Sequence, residues 1–346
     1  MSHFRLLTAA LLLSTCISLG FDGPATPAAA AEVNVYSARK EVLIKPLLDA
    51  FTAETGIVVN LVSGKADALL RRLEREGVNS PADVLLITDA GRLAKAKQSG
   101  LLQPISSPYL DAAIPVQYRD PEGVWYGLSI RARPIIYAID RVTPAELSTY
   151  QALTEPAWKD RVCVRSSSNI YNQSMLAAFI DHIGVARTED WARGLVANFA
   201  RKPQGGDTDQ IRAVAAGECD VALANTYYLA RLTVSRKEAD RDVAAKVAIF
   251  WPDQDGLGVH VNISGAGVTR AAGHVDEAIA LLEYLAGPKA QRNYAEVVHE
   301  YPVRADVAWS DVVSSWGRFK ADDLNLAILG ENNAEAVRIA DRAGWR

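Results

Sequence analysis

The sequence contains few of the side chains from which zinc and soft-metal sites are built. It has only three cysteines and five histidines among its 346 residues. No two cysteines form a CxxC motif, and no two histidines lie three or four positions apart. These absences argue against a thiolate metal site and against a histidine-rich zinc site.

The motifs of common catalytic sites are absent as well. The chain has no GxSxG, Walker, GxGxxG or HExxH motif. Asp253 and Asp255 form a carboxylate pair in a glycine-containing loop. No acid–base partner accompanies them, which is typical of a solvated turn. An enzyme is therefore the least supported class of function.

Positive charge is not in excess, because the net charge is −4. Neither nucleic acid nor an anionic membrane is therefore predicted as a partner. About half of the residues are hydrophobic, as in soluble globular proteins, and the length is sufficient for two domains.

The first 31 residues have the features of a cleavable secretory signal peptide. Arg5 precedes an uncharged apolar stretch at 6–21, and a run of small residues ends at Ala31. The apolar stretch is short for a transmembrane helix. Thr15 is a poor residue before a lipidated cysteine, which disfavours a lipoprotein anchored through Cys16. We expect cleavage near Ala31 and a periplasmic mature protein.

Two cysteines, Cys163 and Cys219, remain after this cleavage. In an oxidising compartment they could form a disulfide. Two buried free thiols are the alternative, and the sequence alone does not decide between them.

The mature sequence alternates short β-rich runs with runs of helical apolar spacing. In the first third, these runs fall at 33–36, 42–55, 57–62, 66–76, 83–88 and 90–98. Such alternation predicts a parallel sheet covered by helices. Two longer β-rich runs, 125–139 and 259–269, are interpreted as strands that cross between two lobes. The sequence thus predicts an α/β fold with two lobes and a cleft between them.

The crossing runs divide the mature chain into two discontinuous lobes. The predicted first lobe comprises residues 32–132 and 265–308. The predicted second lobe comprises residues 133–264 and 309–346, with a helical C-terminal segment that packs on it.

Three tyrosines fall where predicted strands of the second lobe are followed by helices. Tyr227 and Tyr228 lie in the first helical turn after the strand at 219–224, and Tyr171 has the same position after the strand at 162–165. At such a corner, adjacent phenols can turn toward one point, and the helix N-terminus favours phenolate. Fe³⁺ is a hard cation that prefers charged oxygen ligands. The alternative is a set of ordinary surface tyrosines, but the pattern favours a ferric site.

Several arginines and polar residues are expected near the same cleft. A guanidinium there suits a carboxylate, phosphate or carbonate, although a structural ion pair is the alternative for each arginine. A binder of such an anion, with stacking tyrosines and no metal, is therefore a second hypothesis for the function. The expected cleft residues are Arg39, Arg131, Arg133, Arg231, Asp207 and Asn225.

Two segments that carry these tyrosines are distinctive, SSSNIYNQS at 166–174 and DVALANTYYLAR at 220–231. They resemble the periplasmic ferric-ion-binding proteins of bacterial iron ABC transporters, especially the cyanobacterial-type branch. The resemblance extends over essentially the whole mature chain. The further matching segments are SPADVLLITDAGRL at 80–93, RDPEGVWYGLSIRAR at 119–133, VNISGAG at 261–267 and LGENNAEAV at 329–337.

This resemblance implies a type II periplasmic-binding-protein fold with two crossing hinge strands. It implies that Tyr171, Tyr227 and Tyr228 ligate Fe³⁺, and that Arg39 and Arg131 hold a synergistic anion such as carbonate or stabilise the phenolates. It also implies a monomer that delivers iron to an inner-membrane permease driven by an ATPase.

The sequence departs from the resemblance in the first lobe. Many relatives carry His, or His-Tyr, directly after the residue that matches Arg39, whereas this chain has Lys40 and Glu41. A protonated lysine cannot ligate a metal, while the Glu41 carboxylate could. We expect three tyrosines with an exogenous anion or water held by Arg39, and Glu41 is the candidate first-lobe ligand.

Overall fold

The computed structural model describes Met1 and residues 31–346. The predicted signal peptide, including Cys16, therefore lies outside the described residues except at its two ends. None of the described helices is long and apolar enough to cross a membrane.

Two separate sheets form the framework of the chain. The first has five strands in the order β2-β1-β3-β9-β4, and the second has four in the order β6-β7-β5-β8. The strands are β1 (Glu32–Ser37), β2 (Val58–Ser63), β3 (Val84–Thr88), β4 (Tyr126–Ala132), β5 (Ile135–Ala138), β6 (Val162–Cys163), β7 (Val221–Leu223), β8 (Val247–Phe250) and β9 (Val261–Val268).

Helices follow most of these strands, as the alternating pattern predicts. The helix Ile170–Ala197 is broken at Gly184, which has φ 80°, and it resumes beyond that residue. The helices are α1 (Glu41–Thr55), α2 (Ala66–Glu76), α3 (Ala90–Gln98), α4 (Pro108–Ala113), α5 (Ile170–Ala197), α6 (Asp207–Ala216), α7 (Thr226–Thr233), α8 (Glu238–Ala244), α9 (Val275–Ala286), α10 (Pro288–Asn293), α11 (Asp311–Ser314), α12 (Ile328–Glu331) and α13 (Asn333–Arg342).

Parallel pairing is confined to strands that helices connect. In the first sheet β1 pairs in parallel with β2 and β3, and in the second sheet β6 pairs in parallel with β7. The strands next to the crossings run antiparallel: β9 pairs with β3 and β4, and β5 pairs with β7 and β8. The predicted α/β fold with two lobes is confirmed, and both sheets are mixed because the chain enters and leaves each lobe through an antiparallel strand.

Two connections carry the chain between the sheets, as predicted. The run at 125–139 is divided into β4 and β5 at Arg133 and Pro134, and these two strands belong to different sheets. The return connection reaches the first sheet at β9, all of whose residues are buried.

A tyrosine joins the two connections. The Tyr150 hydroxyl donates a hydrogen bond to the carbonyl oxygen of Arg133 (2.7 Å) and accepts one from the backbone N–H of His260 (3.1 Å). The N–H of Arg133 donates to the carbonyl oxygen of His260 at 2.9 Å. Since the Tyr150 side chain is almost fully buried, the two connections are bonded to each other at the hinge.

The C-terminal segment contacts both lobes. Helix α13 packs along α5 of the second lobe, whereas α12 packs on α3 of the first. A Cβ added to Gly330 would lie 2.1 Å from the Cβ of Ala94, so a glycine is required for α12 to approach α3 this closely. The division into 32–132 plus 265–308 and 133–264 plus 309–346 stays a prediction. Sheet pairing places all of β9 in the first sheet.

The structure decides between a disulfide and two free thiols, the alternatives that the sequence left open. Cys163 and Cys219 form a disulfide, with their Cα atoms 5.9 Å apart. The bond connects β6 to the turn before β7 and closes a loop with a sequence separation of 56 residues. It therefore links two neighbouring parallel strands of the second sheet.

We predict that Cys163→Ala combined with Cys219→Ala lowers the free energy of unfolding by about 4 kcal/mol. A loop of this length loses roughly that much conformational entropy in the unfolded chain when the disulfide closes it. Urea denaturation of the variant, of the oxidised protein and of the reduced protein measures the effect. Equal midpoints for the oxidised protein and the variant would contradict the prediction.

Candidate metal centre

The three predicted tyrosines occupy the expected corners of the second lobe. Helix α5 begins at Ile170, and the Asn169 side chain caps it by accepting the Tyr171 N–H at 2.9 Å. Helix α7 begins at Thr226, so Tyr227 lies in its first turn. Because β6 and β7 are parallel neighbours, their carboxyl ends share one edge of the sheet, and both corners come to the same place.

The phenol groups of these tyrosines lie together. The hydroxyl oxygens of Tyr171 and Tyr227 are 3.2 Å apart, and the ring centres of Tyr227 and Tyr228 are 4.2 Å apart with 34° between their planes. Tyr227 is only 5% exposed, and the other two rings are half-buried. The arrangement gathers three potential oxygen ligands on one lobe.

Burial keeps two of the phenols protonated. It raises the pKa of Tyr227 and that of Tyr228 well above the usual value near 10, and the adjacent Tyr171 raises both further because like charges repel. Arg131 near Tyr227 and Arg165 near Tyr228 act in the opposite direction but are outweighed. At neutral pH both groups are therefore neutral phenols until a cation displaces their protons.

Arg39 reaches the site from the first lobe, where Glu300 and Ser129 hold its two terminal nitrogens and its Nε finds no partner among the described residues. Its Nη2 lies 2.6 Å from Glu300 and 2.7 Å from the Ser129 hydroxyl, and its Nη1 donates to the second oxygen of Glu300 at 3.2 Å. Both members of this ion pair are almost fully buried. Burial and the two nearby guanidiniums of Arg39 and Arg131 oppose each other at Glu300, and the net effect lowers its pKa, so the pair stays charged.

Two other arginines adjoin the tyrosines with donors to spare. The Arg131 guanidinium lies 5.4 Å from the ring centre of Tyr171. It is 1% exposed, and its Nε and one Nη find no hydrogen-bond partner among the described residues. The Arg231 guanidinium lies 4.9 Å from the ring centre of Tyr227, and no carboxylate in the described part of the chain pairs with it.

Arg133, Asp207 and Asn225 were also expected at the cleft, but they lie inside the second lobe. Arg133 donates to the Asp207 carboxylate at 2.9 Å and to the Asn225 side chain at 3.0 Å. All three side chains are buried. Arg133 therefore forms a structural ion pair with Asp207, and it is not a free cation in the cleft.

The candidate first-lobe ligand is not part of a metal-binding cluster of side chains in the described part of the chain. Lys40 and Glu41 are exposed at the start of α1. Among the described residues, no group of three or more His, Cys, Asp and Glu side chains is arranged to hold a metal. A role for Glu41 as a ligand stays a prediction.

Some residues near the site carried no signal in the sequence. Glu300 follows the π-helical turn Tyr294–Val298 outside any motif, and Arg165 lies in the turn before α5, with its guanidinium 5.4 Å from the Tyr171 ring centre. A search for charged residues beside the predicted corners could have found Arg165. Nothing local indicates Glu300, because its partner Arg39 is 261 residues away.

The fold and the sequence define the class of protein. The chain belongs to the family of bacterial extracellular solute-binding proteins, whose sequence model matches residues 79–325. The fold is the type II periplasmic-binding-protein fold that the resemblance implied.

Particular relatives are proteins of iron uptake. The chain is 46% identical to iron uptake protein A1 of Synechocystis sp. over 99% of this chain and 96% of that protein. It is 28% identical to the major ferric iron-binding protein of Neisseria meningitidis over 93% and 95% of the two chains. Among solved structures, Trichodesmium IdiA (FutA) in complex with iron and citrate ligands is 50% identical, with a TM-score of 0.89 over 91% of this chain and all of that one. The predicted family is confirmed.

We predict that Tyr227 and Tyr228 of the metal-free protein ionise at higher pH in the native than in the unfolded state. Burial opposes the phenolate charge, whereas phenols of an unfolded chain ionise near pH 10. Ultraviolet absorbance of tyrosinate, followed during an alkaline titration with and without urea, measures the difference. Tyr227→Phe with Tyr228→Phe should remove two phenols from the late phase only, and loss from the early phase would contradict the prediction.

Proposed function

We propose that the protein captures Fe³⁺ in the periplasm through the phenolates of Tyr171, Tyr227 and Tyr228. It then delivers the ion to an inner-membrane ABC permease driven by a cytoplasmic ATPase. The observation that carries the proposal is the contact between the Tyr171 and Tyr227 hydroxyls at 3.2 Å, with the Tyr228 ring centre 4.2 Å from that of Tyr227. The iron-binding names of relatives that share almost the whole chain support it.

The charge of the ion matches the ligand set. Three phenolates carry three negative charges, which Fe³⁺ neutralises completely, whereas a divalent cation would leave a net negative charge in a buried place. The phenolates of Tyr227 and Tyr228 form by releasing protons, because burial keeps both groups protonated beforehand. Acidification returns those protons, so iron binding weakens as the pH falls.

Three phenol oxygens do not fill the coordination shell of Fe³⁺, and an anion is proposed for the remaining positions. Among the described residues, the Arg131 Nε has no hydrogen-bond partner, although one Nη of Arg131 lies 3.8 Å from the Asp89 carboxylate, and Arg231 has no carboxylate partner beside Tyr227. A small anion such as carbonate would accept hydrogen bonds from them while it ligates the iron.

Arg39 has a different part in this proposal, because Glu300 and Ser129 hold both of its terminal nitrogens. The Arg39–Glu300 pair brings balanced charge to the first-lobe side of Tyr227. In this way the pair limits the electric field at the Tyr227 phenolate. Direct contact with the anion is assigned to Arg131 and Arg231.

Titration of the metal-free protein with Fe³⁺ should produce a visible phenolate-to-iron charge-transfer band. We expect Tyr227→Phe with Tyr228→Phe to abolish the band, and Tyr171→Phe to weaken both the band and the affinity, since each loses charged ligands. Tyr126→Phe is the control, because that tyrosine is equally buried but lies in the first lobe away from the cluster. Absence of the band, or its survival in the double variant, would overturn the proposal. Metal-free binding of an anion would instead favour an anion carrier.

We predict that wild-type iron affinity depends on bicarbonate, and that Arg231→Gln loses this dependence along with about 10- to 100-fold in affinity. Groups that orient a metal's ligands have effects of this size. Competition with an iron chelator, in bicarbonate-containing and bicarbonate-free buffer, measures both quantities. Arg131→Gln should behave in the same way, and Arg39→Lys should keep the bicarbonate dependence. An unchanged dependence in the Arg231 variant would show that the anion is held elsewhere.

A further inference from the structure

The side chain of Arg133 occupies the space between the two tyrosine corners. It is 1% exposed although it belongs to the connection between the lobes. Its Nη1 donates to Asp207 at 2.9 Å and to Asn225 at 3.0 Å, and its Nη2 donates to Asn172 at 2.8 Å and to the Leu223 carbonyl at 3.2 Å. Only Nε lacks a partner. The guanidinium therefore has no terminal nitrogen left for a ligand in the cleft.

The partners of Arg133 flank the tyrosines in sequence. Asn172 directly follows Tyr171, and Asn225 precedes Tyr227 by two residues. The Asn172 amide also donates to the carbonyls of Arg165 (2.9 Å) and Ser166 (3.2 Å), which form the turn into α5. One guanidinium is thus hydrogen-bonded to both corners, and the corner that carries Tyr171 is further bound to its own turn.

Asp207, from helix α6, also contacts both tyrosine corners. It is fully buried at the start of α6. Besides Arg133, its carboxylate accepts the Asn225 N–H at 2.8 Å and Arg165 at 3.2 Å. Arg165 in turn lies against the Tyr171 ring. Both corners are therefore bound to the carboxylate as well as to the guanidinium.

Stability alone is a weak explanation for this buried pair. Removing two charges from water costs about as much as their attraction returns, so an apolar pair of similar volume is often equally stable. A planar fork with fixed donor directions does, however, define the relative positions of the groups that it bonds. Those groups here are the two ends from which the phenols project.

We propose that Arg133, held by Asp207, is a positioning residue that sets the separation of Tyr171 from Tyr227 and Tyr228. It acts through Asn172 and Asn225 and does not touch the metal. This inference rests on the proposed ferric function for its spectroscopic test. Its geometric test, the distance between the Tyr171 and Tyr227 hydroxyls, is made on the protein without metal.

The decisive variant is Arg133→Lys. Lysine keeps a positive charge beside Asp207 but cannot reach four acceptors in two directions. We expect a folded protein whose charge-transfer band is shifted or weakened and whose Fe³⁺ affinity falls at least about tenfold. In a crystal structure of the metal-free variant, the distance between the Tyr171 and Tyr227 hydroxyls should exceed that of the wild type.

Arg141→Lys is the matched control. Arg141 follows β5, whereas Arg133 precedes it, and Arg141 bonds a carboxylate, Asp220, at 2.8 Å and the carbonyl of Val214. These partners come before β7, whereas the tyrosine corner follows it, so this variant should lose stability without any change in the band or in the affinity.

The outcomes separate the inference from the function on which it rests. A wild-type protein without the band would overturn the ferric function. A wild-type band that is unchanged in folded Arg133→Lys, in position, intensity and affinity, would overturn the positioning role and leave the ferric function standing. If Arg133→Lys does not fold, Asn172→Ala tests the same connection: a changed band supports the role, and an unchanged band and affinity overturn it.

Discussion

The burial of Tyr227 beside two half-buried phenols is the constraint on which the site depends. A phenolate is costly in such surroundings, so Tyr227 and Tyr228 are neutral at neutral pH. Much of the positive charge nearby is paired with carboxylates. Arg39 is accordingly neutralised by Glu300, and Arg165 shares Asp207 with Arg133. Charge balance around the phenols thus explains why acidic residues without any ligand role lie so close to the site.

The two lobes contribute unequally to this arrangement. All three tyrosines and the groups that fix them come from the second lobe, because two parallel strands end at one edge there. The first lobe contributes a closed ion pair, and Lys40 and Glu41 remain exposed. In the proposed ferric function, the second lobe alone would hold the ion, while the connection between the lobes would supply Arg131 for the anion. This asymmetry fits a chain in which Lys40 and Glu41 follow Arg39.

The features that the sequence predicted correctly are those with a local pattern. Alternating runs revealed the α/β lobes, and a long run containing Arg133 revealed the crossing. The change from strand to helix placed Tyr171 and Tyr227 at corners. Features set by contacts distant in sequence were missed, such as the pairing of Arg39 with Glu300 and the burial of Arg133 against Asp207. The sequence did not decide the disulfide for the same reason, because the residues around Cys163 and Cys219 do not show that their strands are neighbours.

The hydroxyl of Tyr150 has a consequence for how the molecule can move. Because it bonds the carbonyl of Arg133 and the N–H of His260 together, the two connections cannot slide past one another while these bonds persist. These bonds favour bending at the hinge over sliding of one connection past the other. The side chain of Arg133 starts from this hinge and donates hydrogen bonds to Asn225 and Asn172 beside the two tyrosine corners. In the proposed ferric function, the three phenols, which all belong to one lobe, would keep their mutual geometry while the lobes bend, and iron would meet a site already assembled.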